Sequence, residues 1–325
     1  MRNQLIPTIL FTFVLHSIVS CTLEGESKQL AVVSTNKVVS VTFDAAQSGG
    51  FISFDGNADV ESRGVCYSML PNPTVKDSVT VDGSGLGDFY SYLSGLRPAT
   101  TYYVRAYATN SIGTAYGDEI QFTTYGTVTN PVTGRIWMDR NLGSNRVTIS
   151  LSDQEAYGDL YQWGRGTDGH EKRYSSSTDV LSTGDHPGHG KFILSNNIFE
   201  DWRNPQRDYL WQGVRGINNP CPDGFRLPTR EEWVEELDTW SQGAFESVLK
   251  LSSAGYRSYQ QDTIRYGSGT NSEYRAYGFY WSSTLSVAYA YALIFYIRDT
   301  SRVTTHAFMR SYPRAYGYSV RCIKD

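Results

Sequence analysis

Cys221-Pro222-Asp223-Gly224-Phe225-Arg226-Leu227-Pro228-Thr229-Arg230-Glu231-Glu232-Trp233 is the stretch from which the rest of the chain is read. Thr229 followed three residues later by Glu232 is a capping box. The Thr hydroxyl accepts from an early helix N–H while the Glu reaches back to the cap's own N–H. Pro228 stiffens the entry, because its fixed φ suits a chain about to turn helical. Trp233, Leu237 and Trp240 then recur at helical spacing, so a short amphipathic helix with an apolar anchor is expected here. Glu231, Glu232, Glu235 and Glu236 form an acidic cluster on it. A carboxylate pair for acid–base work is weighed against a favourable N-terminal charge on a solvated face, and the solvated face is the reading adopted.

Outward from this helix, 325 residues exceed one typical domain, so two folded units are expected. Thirty glycines, 24 tyrosines and only 19% charged residues read as a β-rich, loop-rich extracellular protein. A net charge of −4 gives no general electrostatic reason to bind nucleic acid. Residues 1–20 read as a signal peptide: Arg2 is followed by an almost wholly apolar run from Leu5 to Val19. Ile18-Val19-Ser20-Cys21 resembles a bacterial lipobox, which makes Cys21 the expected lipidated residue, with 21–31 as a tether. An ordinary signal peptide with a chance cysteine is the alternative.

Residues 32–125 read as short strands broken by turns, the spacing of an all-β sandwich. Val38 to Phe43, Phe51 to Phe54, Gly64 to Ser68 and Phe89 to Leu93 are the expected strands, with Gly49-Gly50 as a break and Asp55-Gly56 as a hairpin signal. In Thr101 to Ala108, Tyr102, Val104, Ala106 and Ala108 share one face and Tyr103, Arg105 and Tyr107 the other. Leu96-Arg97-Pro98-Ala99-Thr100-Thr101-Tyr102 resembles the tyrosine corner of fibronectin type III domains. That resemblance spans about 90 residues, implies no catalytic constellation and makes this unit a spacer and support for the C-terminal one.

Residues 127–325 resemble the Fibrobacter succinogenes major paralogous domain. The likeness rests on Gly224-Phe225-Arg226-Leu227-Pro228-Thr229 with Glu232-Trp233, on Trp137-Met138-Asp139-Arg140-Asn141-Leu142, on Ala156 to Gly164, and on Tyr318-Ser319-Val320-Arg321-Cys322. It implies an α+β C-type-lectin-like fold with long loops, related to formylglycine-generating enzymes. Cys221 and Cys322 sit at the two motifs that define this unit, so a disulfide between them is expected in an oxidising compartment. Cys66 is then a buried free thiol. Gly166 to Asn219, polar and aperiodic, is expected to form long surface-bound loops.

Little in the chain points to catalysis or metal. His186 and His189 flank Pro187-Gly188 and read as solvent-facing loop residues rather than zinc ligands, while His170 and His306 read as surface or packing residues. No second thiol stands near the cysteine pair, and the Glu-Pro-Asn and Trp-Asn-Asp sequences of calcium-binding lectins are missing. No cofactor and no resident metal are expected.

The stretch from Phe279 to Asp325 holds 11 aromatics in 47 residues and a formal charge of +4, without glutamate. Rigid rings and forked donors of this kind compose recognition surfaces. Tyr291, Leu293 and Phe295 suit a core face, leaving Ala292, Ile294 and Tyr296 exposed. The ligand-facing set is Tyr296, Arg298, Arg302, His306, Phe308, Arg310, Tyr312, Arg314 and Tyr316, with Trp233 and Trp281 structural. Half-buried sheet and ordinary loop positions are the competing reading. The frame of Gly278 to Ser283 and Gly317 to Arg321 around it looks like the variable region of lectin-fold proteins diversified by retroelements. The expectation is a lipid-anchored outer-membrane protein, favoured at the surface, that binds an extracellular protein or glycan without turnover. A structural or adhesive subunit of a surface assembly and a residual formylglycine-generating-type enzyme are the alternatives.

Overall fold

The computed structural model describes residues 27–267, 276–297 and 304–325. Cys21, Arg298 and Arg302 therefore lie outside the described residues, as do the expected signal peptide and the first part of the tether. The last part of the tether already belongs to the fold: the Gln29 N–H donates to the Gly56 carbonyl at 2.8 Å and Ala31 is buried.

The N-terminal unit is made of eight strands: β1 (Val32–Thr35), β2 (Ala45–Phe54), β3 (Ser62–Ser68), β4 (Ser78–Val79), β5 (Gly87–Ser94), β6 (Thr101–Asn110), β7 (Gly113–Tyr116) and β8 (Ile120–Thr123). One sheet runs β1-β2-β5. The other runs β4-β3-β6-β7, with β8 also on β6, and every pairing is antiparallel. Ile52, Val65, Phe89, Leu93, Val104 and Ala106 fill the space between the sheets, the packing of an all-β sandwich. The Arg97 N–H donates to Tyr102 Oη at 3.0 Å, closing the expected tyrosine corner.

Three details depart from expectation. Gly49-Gly50 does not break β2. A Cβ on Gly50 would stand 2.7 Å from the Ala106 Cβ, so the glycine permits the close approach of the two sheets. Val38 to Phe43 is no strand beyond a single bridge from Val39 to Gln47. Thr42 instead closes a local turn onto Ala45, and Val41 and Phe43 pack against the second unit. Tyr107 is buried although it lies on the outward face of β6, its hydroxyl donating to the Thr80 carbonyl at 2.8 Å.

The second unit is built on the three-stranded antiparallel sheet of Ala276–Ser286, Tyr289–Ile297 and Thr304–Tyr312. Helix α1 (Arg230–Leu237) covers one face, capped by Thr229 and Glu232 in the reciprocal box that the sequence predicts. Trp233 is fully buried on this side with Leu293 and Phe295. The solvated acidic face is only half present. Glu231 and Glu235 are exposed, whereas Glu232 is buried between Arg226 and Arg135, and Glu236 is buried and accepts from Asn130 at 2.7 Å.

The distant motifs meet in the interior. Arg321, fully buried, donates to Asn141 Oδ1 and to the Met138 and Leu249 carbonyls, at 2.7–3.3 Å. Asn141 in turn donates to Tyr280 Oη, Ser252 Oγ and two carbonyls. Burial lowers the Arg321 pKa to about 10, so the group stays charged at neutral pH. Cys221 and Cys322 are disulfide-bonded, with Cα atoms 5.9 Å apart, and Cys66 is a buried free thiol whose pKa burial raises to about 11.

Residues 166–219 are not merely surface loops. Phe192, Ile193, Trp202 and Leu210 form small cores of their own. Gln162 supplies the missing ladder, donating to the Ile193 and Ala315 carbonyls at 2.8 Å and accepting from the Ile193 N–H. The two units are joined tightly. Phe43 stacks on Phe225 at 5.0 Å, and Arg140, held by Asp139, donates to the Thr123 and Thr124 carbonyls. Among the described residues no helix is long and apolar enough to cross a membrane.

Candidate functional site

The register of the central sheet decides which side chains stand together. Tyr296 pairs with His306, Ile294 with Phe308, Ala292 with Arg310 and Ala290 with Tyr312. Tyr277, Phe279 and Trp281 pair with Tyr296, Ile294 and Ala292 on the other side. Cross-strand partners project from the same face, so five of the expected ligand residues, Tyr296, His306, Phe308, Arg310 and Tyr312, share the face opposite α1. His306, Phe308 and Arg310 are exposed, and Tyr296 and Tyr312 are half-buried.

The rings interlock. Tyr296 lies 5.3 Å from Tyr277 and 5.9 Å from Phe308, centroid to centroid. Tyr312 lies 6.0 Å from Phe279 and 6.1 Å from Tyr316, and the Arg310 guanidinium sits 5.8 Å over the Tyr312 ring. Tyr316, also half-buried, is walled by Tyr256 at 5.6 Å and Tyr259 at 4.6 Å. Burial first, then the neighbouring Tyr296, raises the Tyr312 pKa, so its hydroxyl remains a donor at any physiological pH. The result is an aromatic shelf edged by a cation and a histidine, able to stack on flat or apolar groups and to donate hydrogen bonds.

Two expectations for this region are corrected. Arg314 does not face a ligand: it is buried, donates to the Arg207 and Val287 carbonyls and to Asp208 at 2.8–3.2 Å, and lies 4.9 Å over the Trp163 ring. The even face of Tyr289–Ile297 is not exposed either. Ala290, Ala292 and Ile294 are fully buried, because this is the middle strand and the core around Trp163, Trp281 and Tyr318 covers it. Only Tyr296 at its end emerges. Tyr256 and Tyr277 are shelf residues that the sequence pattern does not single out. Tyr277-Gly278-Phe279-Tyr280-Trp281 carries the alternation that would have found Tyr277, whereas Tyr256 arrives from a two-residue strand with no periodicity.

Elsewhere, Asp168, His170 and Glu171 bring potential metal ligands within 4.8 Å of one another. Their atoms are already engaged. His170 is fully buried, its Nδ1 2.6 Å from Asp168 Oδ1, and its Nε2 accepts from the Gln162 N–H. Asp168 Oδ2 takes Arg165, and Glu171 accepts from the Gly169 N–H. Burial lowers the His170 pKa to about 4. This fits a packing histidine and not a surface one. A cleft of 730 Å³ at the junction of the units is lined by Lys37, Asp159, Lys172 and Arg173. Burial raises the Asp159 pKa to about 6 against the pull of Lys172, 2.7 Å away.

No protein-family profile matches this sequence, and no curated protein does. Solved structures similar to part of it include the sensor domain of the anti-sigma factor RsgI4 from Pseudobacteroides cellulosolvens, with 19% identity over 30% of this chain and 97% of that one and a TM-score of 0.24. A fibronectin type III domain of human fibronectin type III domain containing protein 3 is similar at 16% identity over 32% of this chain and 92% of that one, with a TM-score of 0.21. The third fibronectin III domain of human KIAA0343 protein is similar at 17% identity over 33% and 92%, again with a TM-score of 0.21.

Proposed function

We propose that this is an exported lipoprotein, anchored to the outer membrane through Cys21, whose C-terminal unit is a C-type-lectin-like frame that binds an extracellular protein or glycan without turning it over. The observation that carries the reading is the shelf. Tyr296, His306, Phe308, Arg310 and Tyr312 project from one sheet face, with Phe308 37% exposed on its edge strand. Aromatic anchors beside an arginine are the side chains that dominate binding energy at recognition surfaces. The α1 cap, the disulfide and the buried Arg321 hold the sheet beneath, so the exposed His306, Phe308 and Arg310 can vary in sequence without loss of the frame, while Tyr296 and Tyr312 also pack on the core. That division of labour supports a diversified binding region. An adhesive subunit that meets a partner protein through the same shelf is the second reading, favoured by the same exposed Phe308.

The test is binding of the full chain to a glycan array and, in parallel, capture of surface proteins. Phe308→Ala and Arg310→Ala are each expected to weaken the recovered interaction by about 30-fold or more, as loss of an anchor of roughly 2 kcal/mol requires. Binding that survives both substitutions unchanged removes the shelf as the site.

A further inference from the structure

The three-stranded sheet under the shelf has one margin that is used and one that is not. Along its first strand, Ala276–Ser286, the Tyr277 N–H donates to the Tyr266 carbonyl at 3.1 Å and the Tyr277 carbonyl accepts from the Gly255 N–H at 3.0 Å. The Trp281 N–H donates to the Ser319 carbonyl and the Phe279 carbonyl accepts from the Ser319 N–H, both at 3.0 Å. Tyr277, Phe279 and Trp281 therefore turn their backbone groups away from the sheet. Gly278 and Tyr280 turn theirs toward the middle strand, where they pair with Phe295 and Leu293.

The alternation carries across the sheet. With Leu293 and Phe295 committed to the first strand, Ala292, Ile294 and Tyr296 bond to the last one, in pairs with Arg310, Phe308 and His306. The Tyr291 carbonyl, which accepts from Ser282 Oγ on the first strand at 2.9 Å, agrees with this sense. The backbone N–H and C=O groups of Ala307, Met309 and Ser311 then point out from the far margin. The last strand ends the sheet, and among the described residues these three make no backbone hydrogen bond outside the ladder. No residue from His306 to Tyr312 is buried, so the margin lies at the surface. Exposed edges are normally guarded by lysine, proline, a bulge or brevity. Thr304–Tyr312 is nine residues long and contains no lysine, proline, glycine or acidic residue, and its register runs without a shift from His306 to Tyr312. Its flanks are cationic. Arg310 is exposed on the shelf side with no carboxylate partner among the described residues. On the α1 side the Arg230 guanidinium, 3.7 Å from the exposed Glu231, stands 5.1 Å over the ring of Tyr291, the cross-strand neighbour of Ser311.

We propose that the ligand is a protein, and that it adds an extended acidic segment as a fourth strand along this margin. The backbone of the segment pairs with Ala307, Met309 and Ser311. Its alternate side chains lie beside His306, Phe308 and Arg310 on the shelf face, and its carboxylates meet Arg310 and Arg230. The fourth strand lies against the shelf and so depends on the reading of that face as the recognition surface. It selects a protein over a glycan, because a row of free amides and carbonyls at strand spacing is matched by another backbone.

Amide hydrogen exchange of the full-length protein tests this in two stages. Alone, the Ala307, Met309 and Ser311 amides are expected to exchange about 100-fold faster than those of Phe308 and Arg310, at any protein concentration. The probe is then an acetylated and amidated octapeptide of alternating glutamate and valine, compared with its lysine counterpart and with the glutamate peptide N-methylated throughout. The glutamate peptide is expected to bind and to slow exchange at all three outward amides, and the other two to bind about tenfold more weakly or less. Ser311→Pro removes an outward N–H and none of the bonds to the middle strand. It is expected to weaken the glutamate peptide about tenfold, and Ser311→Ala to leave it unchanged. Ala307→Pro repeats the measurement if the amide spectrum shows the first variant unfolded. Slow exchange of the three amides in the free protein, protection that grows with protein concentration and so reports pairing between copies, absence of peptide binding, or equal binding of the N-methylated peptide overturns the proposal. A peptide released by Phe308→Ala and Arg310→Ala but held by Ser311→Pro overturns the edge and keeps the shelf. The reverse pattern keeps the edge and removes the shelf.

Discussion

The two units satisfy their buried polar groups by opposite means. In the sandwich the backbone ladders do almost all of it, and the space between sheets is filled by Ala, Val, Ile, Leu and Phe. In the C-terminal unit most strands are two or three residues long, and side chains take over. All seven tryptophans lie there, six of them fully buried. Four of the indole N–H groups donate to carbonyls far away in sequence: Trp163 to Ser282, Trp281 to Tyr161, Trp202 to Trp163 and Trp233 to Trp281, at 2.6–3.2 Å. A long-looped chain can bury its backbone only where such side chains are aimed at it. The difference teaches that the sandwich is held by repetition and the second unit by a few irreplaceable contacts.

This contrast can be broken by substitution. Arg321→Ala leaves Asn141 Oδ1 and the Met138 and Leu249 carbonyls without their buried donor. It is expected to cost about 4 kcal/mol, seen in a denaturant melt as loss of one transition, while the sandwich transition holds. If both transitions move together, the units fold as one and the contrast fails. Replacing Cys221 and Cys322 by serine opens a loop 101 residues long in sequence separation. The expected loss is about 3 kcal/mol, again confined to the second unit. Tyr102→Phe sharpens the comparison from the other side. It removes only the acceptor of the Arg97 N–H, and the expected cost is about 1 kcal/mol, confined to the sandwich.

Legibility in the sequence divides along the same line. The inward face of β6 and the tyrosine corner are readable because strand alternation is local and each residue's role depends on its neighbours two positions away. The capping box and the cysteine pair are readable for the same reason: a local motif carries each. The role of Arg314 is not, since a composition rich in arginine and tyrosine cannot say which arginine is needed inside, and Trp163, Asp208 and Val287 reach it only through the fold. Nor is the burial of Ala292 and Ile294, because alternation cannot distinguish a sheet with one covered face from a middle strand covered on both. The shelf itself is half legible. His306, Phe308, Arg310 and Tyr312 share a period of two, but Tyr256 joins them from a separate two-residue strand.

At the junction, the strand Ile323–Lys324 lies between Phe225–Arg226 and Ile136–Met138, and Thr127–Thr129 completes that small sheet. Entry to and exit from the C-terminal unit are therefore neighbours, beside the contacts that grip the sandwich. Between them the chain makes two excursions, returning to this seam midway at Phe225–Arg226 and again at Ile323–Lys324. Side chains on the outer parts of both excursions can therefore change while the seam that carries them is kept.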